Sequence, residues 1–232
     1  MTRRTNGRVA GFAFLVYIAA AFSGMVLAGS ASRGADAAAR LANMARHSGA
    51  LRLALVLEMA GCFCALVLAA TLYALTREED ADLARIAAAC RVAEGVVGAV
   101  ALERGAGRLW FATGGRALDP ASADALAALL MKLPAWGTDV GATFFSAGSL
   151  LFAWLFLRGR IVPAPLAGLG VFASIVTVIG MPLQMVGLLG SPATDLMWIP
   201  MLLFEVGLAL WLIVRGAAPP RRTRVGEAGD PQ

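Results

Sequence analysis

The chain is poor in the residues that most site chemistry uses. It has one histidine, His47, one lysine, Lys132, and three cysteines, and only 15% of its 232 residues are charged. A lone histidine excludes the two-histidine zinc-protease motif and bis-histidine haem ligation. Lys132 falls in a polar connecting stretch, so no lysine lies inside an apolar run to hold a Schiff base, and a retinal pigment is excluded. Cys62, Cys64 and Cys90 form no Cys-x-x-Cys pair. That argues against a membrane disulfide oxidoreductase, and the three read as small apolar residues. No cofactor is expected.

What the chain has in excess is hydrocarbon. Hydrophobic residues make up 59% of it, with a mean hydropathy of +0.74, against roughly 45–50% apolar and 25% charged residues in a soluble domain. The apolar residues lie in long runs, so the solvent for most of the chain is lipid. A crossing needs about 18 residues with few charges. Six stretches qualify, at 9–29, 50–75, 83–102, 140–157, within 161–194, and at 196–214. The first resembles a signal peptide, with Arg3, Arg4 and Arg8 ahead of it and small residues at Ala28, Ser30 and Ala31. Its apolar length of about twenty residues exceeds the usual 7–15, so it is expected to stay as a span.

Basic residues give the orientation. With the N-terminus inside, the arginines at 3, 4, 8, 77, 85, 158, 160, 215, 221, 222 and 224 crowd the inner helix ends, while the outer basic residues spread over two longer loops. Trp136 and Trp198 then fall at outer helix ends and Tyr73, Trp154 and Trp211 near inner ones, as interfacial belts require. The net charge of +5 is explained by an inner rim facing anionic lipid. The lipid bilayer is therefore the expected partner, and nucleic acid is not. The long connection after the third span carries Asp119-Pro120, a helix-start signal, then an Ala- and Leu-rich stretch through Lys132 that Pro134 stops. The fold expected is all-α, a polytopic bundle of six transmembrane helices with a short outer helix between spans three and four. Residues 1–218 form its single domain and 219–232 a disordered cytoplasmic tail, in a bacterial inner membrane with both termini cytoplasmic.

Against this background four ionisable residues stand inside spans: Glu58, Arg91, Glu94 and Glu205. Each costs roughly 2.5–3.5 kcal/mol at a helix centre, so such residues face the bundle interior and find partners. At about 1.5 Å of rise per residue, Arg91, Glu94 and Glu205 lie roughly 13, 18 and 15 Å from the inner ends of their spans, and Glu58 roughly 25 Å. Arg91 and Glu94 are three apart on one helix face and can touch. The expectation is an Arg91, Glu94, Glu205 cluster near the midplane, with Glu58 and Arg52 forming a second polar patch toward the outer side. Excess carboxylate over guanidinium should keep one glutamate protonated near neutral pH. His47, beside Arg46, reads as an exposed interfacial residue. Gly180, Pro182 and Gly187 suggest a kink near Gln184 in the fifth span.

The order of short motifs resembles a bacterial family of six-span membrane proteins, domain of unknown function 4386. These motifs are Gly7-Arg8-Val9-Ala10-Gly11, Ala42-Asn43-Met44, Leu51-Arg52-Leu53 followed by Glu58, Cys90-Arg91-Val92-Ala93-Glu94, Phe144-Phe145, Arg158 with Pro163, and Glu205 to Leu210-Trp211-Leu212 with Arg215-Gly216. Where relatives tend to show histidines near the start and middle of span four, this chain has Pro134 and Gly148. The resemblance implies a fold and an integral-membrane location, with no assigned substrate or reaction. Three readings stay open. The first is a non-enzymatic bundle that binds or transports a small molecule, a lipid or protons at Arg91, Glu94 and Glu205. The second is a membrane-embedded enzyme acting on a lipid or isoprenoid, and the third a structural or regulatory membrane subunit.

Overall fold

Helix boundaries follow side-chain caps that the sequence provides. Thr2 accepts the N–H of Thr5 to open α1 (Arg3–Ala31), Asp36 accepts that of Ala39 to open α2 (Ala37–Arg46), and Asp80 accepts that of Leu83 to open α4 (Ala81–Thr113). Between them α3 (Ser48–Thr76) follows His47 directly. The rest are α5 (Pro120–Lys132), α6 (Trp136–Gly159), α7 (Ala164–Met185) and α8 (Ser191–Val214). The computed structural model describes residues 2–114, 120–132 and 136–218, and every regular element among them is a helix.

The long helices close a ring in chain order: α1 packs on α3, α3 on α4, α4 on α6, α6 on α7, α7 on α8, and α8 back on α1. Five of the six ring helices, α1, α3, α6, α7 and α8, are long and apolar enough to cross a membrane. The sixth, α4, is the longest at 33 residues but does not meet that measure, because Arg85, Arg91, Glu94, Glu103, Arg104 and Arg108 all lie on it. The main core fills the ring, with Phe14, Leu68, Phe152, Phe156, Leu208 and Leu212 among its buried members.

The structure departs from the sequence expectations in five places. First, α4 does not stop near residue 102; it runs on to Thr113 because nothing before Gly114 breaks the helix. Second, the extra turns of α4 project past the ring, where α2 and α5 pack against them. Third, α2 was not expected at all. It buries Leu41 and Met44 against Leu51, Leu109, Phe111 and Ala112 in a second apolar cluster, and Leu126, Leu130 and Met131 of α5 pack on the same cluster. Two polar side chains fasten this cap: Asn43 donates to Ser30 and Ala31 carbonyls at 3.1 Å, and Arg108 donates to the Leu130 carbonyl at 2.7 Å. These oxygens belong to the last turns of α1 and α5, which lack partners within their own helices. The expected outer helix therefore exists as α5, while its start signal Asp119 and stop signal Pro134 lie outside the described residues, as do 219–232.

Fourth, α7 shows a termination where a kink was expected. Gly187 takes φ +77°, the Leu188 N–H reaches back to the Leu183 carbonyl and the Gly187 N–H to that of Gln184, the pattern of a glycine-terminated helix. Fifth, Trp198 does not sit in a surface belt; its ring lies 5.9 Å from that of Phe145, turned into the bundle. Trp136, by contrast, is exposed.

At the end opposite the cap, one cluster ties four chain segments together. Arg158 at the end of α6 pairs with Glu79 at 3.1 Å and Asp80 at 3.3 Å, both in the α3–α4 turn. Arg3 donates to the Ala218 carbonyl at 3.1 Å, and the Ala218 N–H donates to Ile161. The first helix and the segment after the last one therefore meet at the same end. The ring closes along α1 and α8 at Gly11, where an added Cβ would stand 2.7 Å from the Ala209 carbonyl oxygen.

Gly11→Ala is expected to cost about 1–3 kcal/mol by overpacking this seam. Gly29→Ala, at a helical position open to its surroundings, should be neutral or stabilising. Thermal unfolding in detergent separates the two, and equal stabilities would contradict the seam. Asp80 provides a pH signature. Its carboxyl is held below the usual carboxylate range, chiefly by the Leu83 N–H it accepts and then by Arg158. A lowered carboxyl stabilises the fold above its unfolded value and loses that contribution as pH falls through the folded one. Asp80→Asn, which keeps the capping oxygen, should flatten the acid limb of stability against pH.

Candidate functional site

The site begins with two residues of α4. Arg91 and Glu94 are three apart, so one helix face carries both, and Arg91 Nη1 stands 3.0 Å from Glu94 Oε2. Arg91 is 1% exposed, the largest of the fully buried side chains among the described residues. A guanidinium out of water needs compensation on every side, and three aromatic rings supply part of it. Its carbon lies 4.9 Å from the ring centre of Phe145, 5.4 Å from that of Tyr17 and 5.9 Å from that of Phe14, distances at which the negative ring face attracts a cation. Tyr17 also donates its hydroxyl to Glu94 Oε1 at 2.8 Å. Both carboxylate oxygens of Glu94 therefore have a positive or donor group beside them.

Close helix approach is what lets these groups meet. Gly148 of α6 lies against α4 at Arg91, where a Cβ would stand 3.1 Å from the Ala87 oxygen and 3.3 Å from Arg91 Cγ. Gly95 does the same toward α3, 3.0 Å from the Cys62 oxygen. A histidine in place of Gly148 would occupy the space that Arg91 fills.

The third expected member stands differently. Glu205 of α8 is buried at 5% exposure and within electrostatic reach of Arg91 and Glu94. Among the described residues it makes no ion pair, and its Oε1 has no hydrogen-bond partner. The guanidinium is also under-bonded: among the described residues Nε, Nη1 and Nη2 have no hydrogen-bond acceptor, and the contact to Glu94 at 3.0 Å is an ion pair. A small cavity of about 10 Å³ lies beside Arg91, lined also by Ser149 and by aromatic and leucine side chains.

Glu58 and Arg52 do not form the second patch. Both are exposed, and six residues along a helix turn them about 120° apart, so they cannot share a face. The charge that acts on Glu58 is Arg104, carried there by the extension of α4. Arg104 also acts on Asp139 of α6, whose Oδ1 lies 3.4 Å from the Gln184 side-chain nitrogen of α7. His47 is exposed, its Nδ1 3.0 Å from the Asn43 carbonyl oxygen. The three cysteines are free and half-buried.

Tyr17, Phe14 and Phe145 are the site residues that the sequence reading missed. One signal was available: Tyr17 is the sole polar side chain between Arg8 and Ser23 and lies three residues after Phe14, hence on its face.

Arg91→Met should destabilise the protein by about 3–5 kcal/mol, because it leaves Glu94 buried without its cation. Adding Glu94→Gln to it should recover part of the loss, and Tyr17→Phe alone should cost about 2 kcal/mol. Unfolding in detergent measures all three, and an Arg91→Met protein as stable as the parent would refute this account of the pair.

No curated protein and no solved structure matches the chain. The model of one family, described as a domain of unknown function, DUF4386, matches residues 9–216, which takes in all of the ring but the first turns of α1 and every residue of the charged site. The chain belongs to that family.

Proposed function

We propose that the chain is a non-enzymatic, six-span protein of the bacterial inner membrane whose buried Arg91, Glu94 and Glu205 group takes up and releases a proton. In this reading α4 crosses with the five apolar helices, since it fills the ring position between α3 and α6. Its charges are distributed accordingly. Arg85 lies near one end, Glu103, Arg104 and Arg108 near the other, and Arg91 and Glu94 are turned inward and paired. The end that carries Arg3, Arg158 and Ala218 faces the cytoplasm by the crowding of arginines there.

The observation that carries the proton reading is the state of Glu205. Among the described residues it is buried without an ion pair and its Oε1 has no partner, while the guanidinium of Arg91 is engaged with Glu94. An ionised carboxylate in that position would cost several kcal/mol. A proton removes the cost without needing space, and the cavity beside Arg91, at about 10 Å³, has no room for a larger solute. A second reading, in which the ion pair only fixes helix packing, is favoured by the same tight core.

Reconstitution into liposomes with an internal pH-sensitive dye separates them. Proton uptake or release should be present in the parent and in Asp82→Asn, a surface variant, and lost at least tenfold in Glu205→Gln and in Glu94→Gln. Folded variants with an unchanged proton signal would leave the packing reading in possession of the site.

A further inference from the structure

The cavity beside Arg91 lies inside the ring. Its lining comes from α1, α3, α4, α6 and α8, through Phe14, Leu72, Arg91, Ser149, Phe156 and Leu208 among others. Only Arg91 and Ser149 bring polar atoms to it, and both are buried. All three guanidinium nitrogens of Arg91 lack a hydrogen-bond acceptor. A polar cavity holds a water molecule when it offers about one probe sphere of volume, roughly 10–15 Å³, and at least two polar partners. This one has about 10 Å³, a donor group with unsatisfied N–H bonds and a hydroxyl that both donates and accepts. An apolar cavity of that size would stay dry. Here the alternative to a bound water is a buried guanidinium whose polar partner is the Glu94 carboxylate alone, at a cost for its remaining N–H groups.

The position of the cavity gives the site a direction. Counting helix rise from the end where Arg3, Glu79 and Arg158 meet, Phe156 and Leu72 lie about 5 Å and 6 Å in, Leu208 about 9 Å, and Arg91 and Ser149 about 15 Å. Glu94 and Tyr17 lie deeper, at about 20 Å. Arg91 therefore stands between the cavity on one side and the carboxylate of Glu94 on the other.

We infer that this cavity is a binding site for one internal water, held by Arg91 and Ser149, on the side of the charged group that faces the end of the bundle carrying Arg3 and Ala218. The water accepts from Arg91 and donates to the Ser149 hydroxyl. It is then the exchangeable group beside Arg91 for a proton arriving from that end. The inference rests on the proton reading for its role, but the water site itself stands on geometry alone.

The test has two arms. A density map of the parent fine enough to show ordered water should place one between Arg91 and Ser149, and the same site should be empty in Ser149→Val, which removes a partner and fills the space. Absence of that density in the parent overturns the inference. In vesicles of sorted orientation, Ser149→Val and the milder Ser149→Ala should slow proton exchange from the end that carries Arg3 and Arg158 by roughly tenfold while leaving exchange from the cap end unchanged. Equal slowing from both ends, or none, overturns the directional role. If Glu205→Gln leaves proton exchange intact while the water density is present, the proton reading has failed and the water site has not.

Discussion

Everything near the centre of this molecule is arranged around a guanidinium taken out of water. The Coulomb attraction between Arg91 and Glu94 at 3.0 Å offsets only part of the desolvation of two ions, and a pair in the interior holds only if the remaining groups are also met. The rings of Phe14, Tyr17 and Phe145 and the hydroxyl of Tyr17 meet them. Those residues belong to α1 and α6, so the same interaction that neutralises the charge on α4 fixes the distance and rotation of its neighbours in the ring. Gly148 and Gly95 follow from it, because bulkier residues would hold α6 and α3 too far away for the cage to close.

The cage also limits what the site can hold. Aromatic side chains compensate a cation without donating or accepting hydrogen bonds in the plane of the guanidinium, so they leave its N–H groups unsatisfied while excluding bulk water. The result is a charged group with capacity left over and very little space, which suits the smallest partners. Glu205 enters this environment from α8 with no cation of its own. The imbalance between two carboxylates and one guanidinium is a property of α4 and α8 together and of neither alone.

How much of this could be read from the sequence depended on whether the signal was local. Long uncharged runs located five ring helices, because hydrocarbon content is additive along a segment. The Arg91–Glu94 contact was readable because both partners lie on one helix with a spacing that fixes their face. The Tyr17 contact was not, since a hydrogen bond between α1 and α4 depends on rotations that no single-helix pattern records. The grouping of Glu58 with Arg52 failed for the converse reason: both were close in sequence, but their spacing turns them apart, and the true neighbour, Arg104, lay past an expected helix end. α2 was overlooked because it is ten residues long and its apolar stripe is only Leu41 and Met44 among alanines, a pattern that acquires meaning only once the tip of α4 is there to cover it.

The meeting of α1 with α8 at Gly11 has a further consequence, for the order in which the ring is made. Each of the other seams joins helices that are neighbours in the ring and close in the chain, so they can form as the ribosome delivers them. The α1–α8 seam spans nearly the whole sequence and has to wait for the last helix. Until then the flank of α1 that Ala209 and Ile213 will cover is open, and the Arg91–Glu94 pair with its aromatic cage is assembled before Glu205 arrives. A nascent chain halted after α7 would therefore hold a balanced, one-to-one ion pair, and the unbalanced charge that distinguishes the finished protein is added by the helix that closes it.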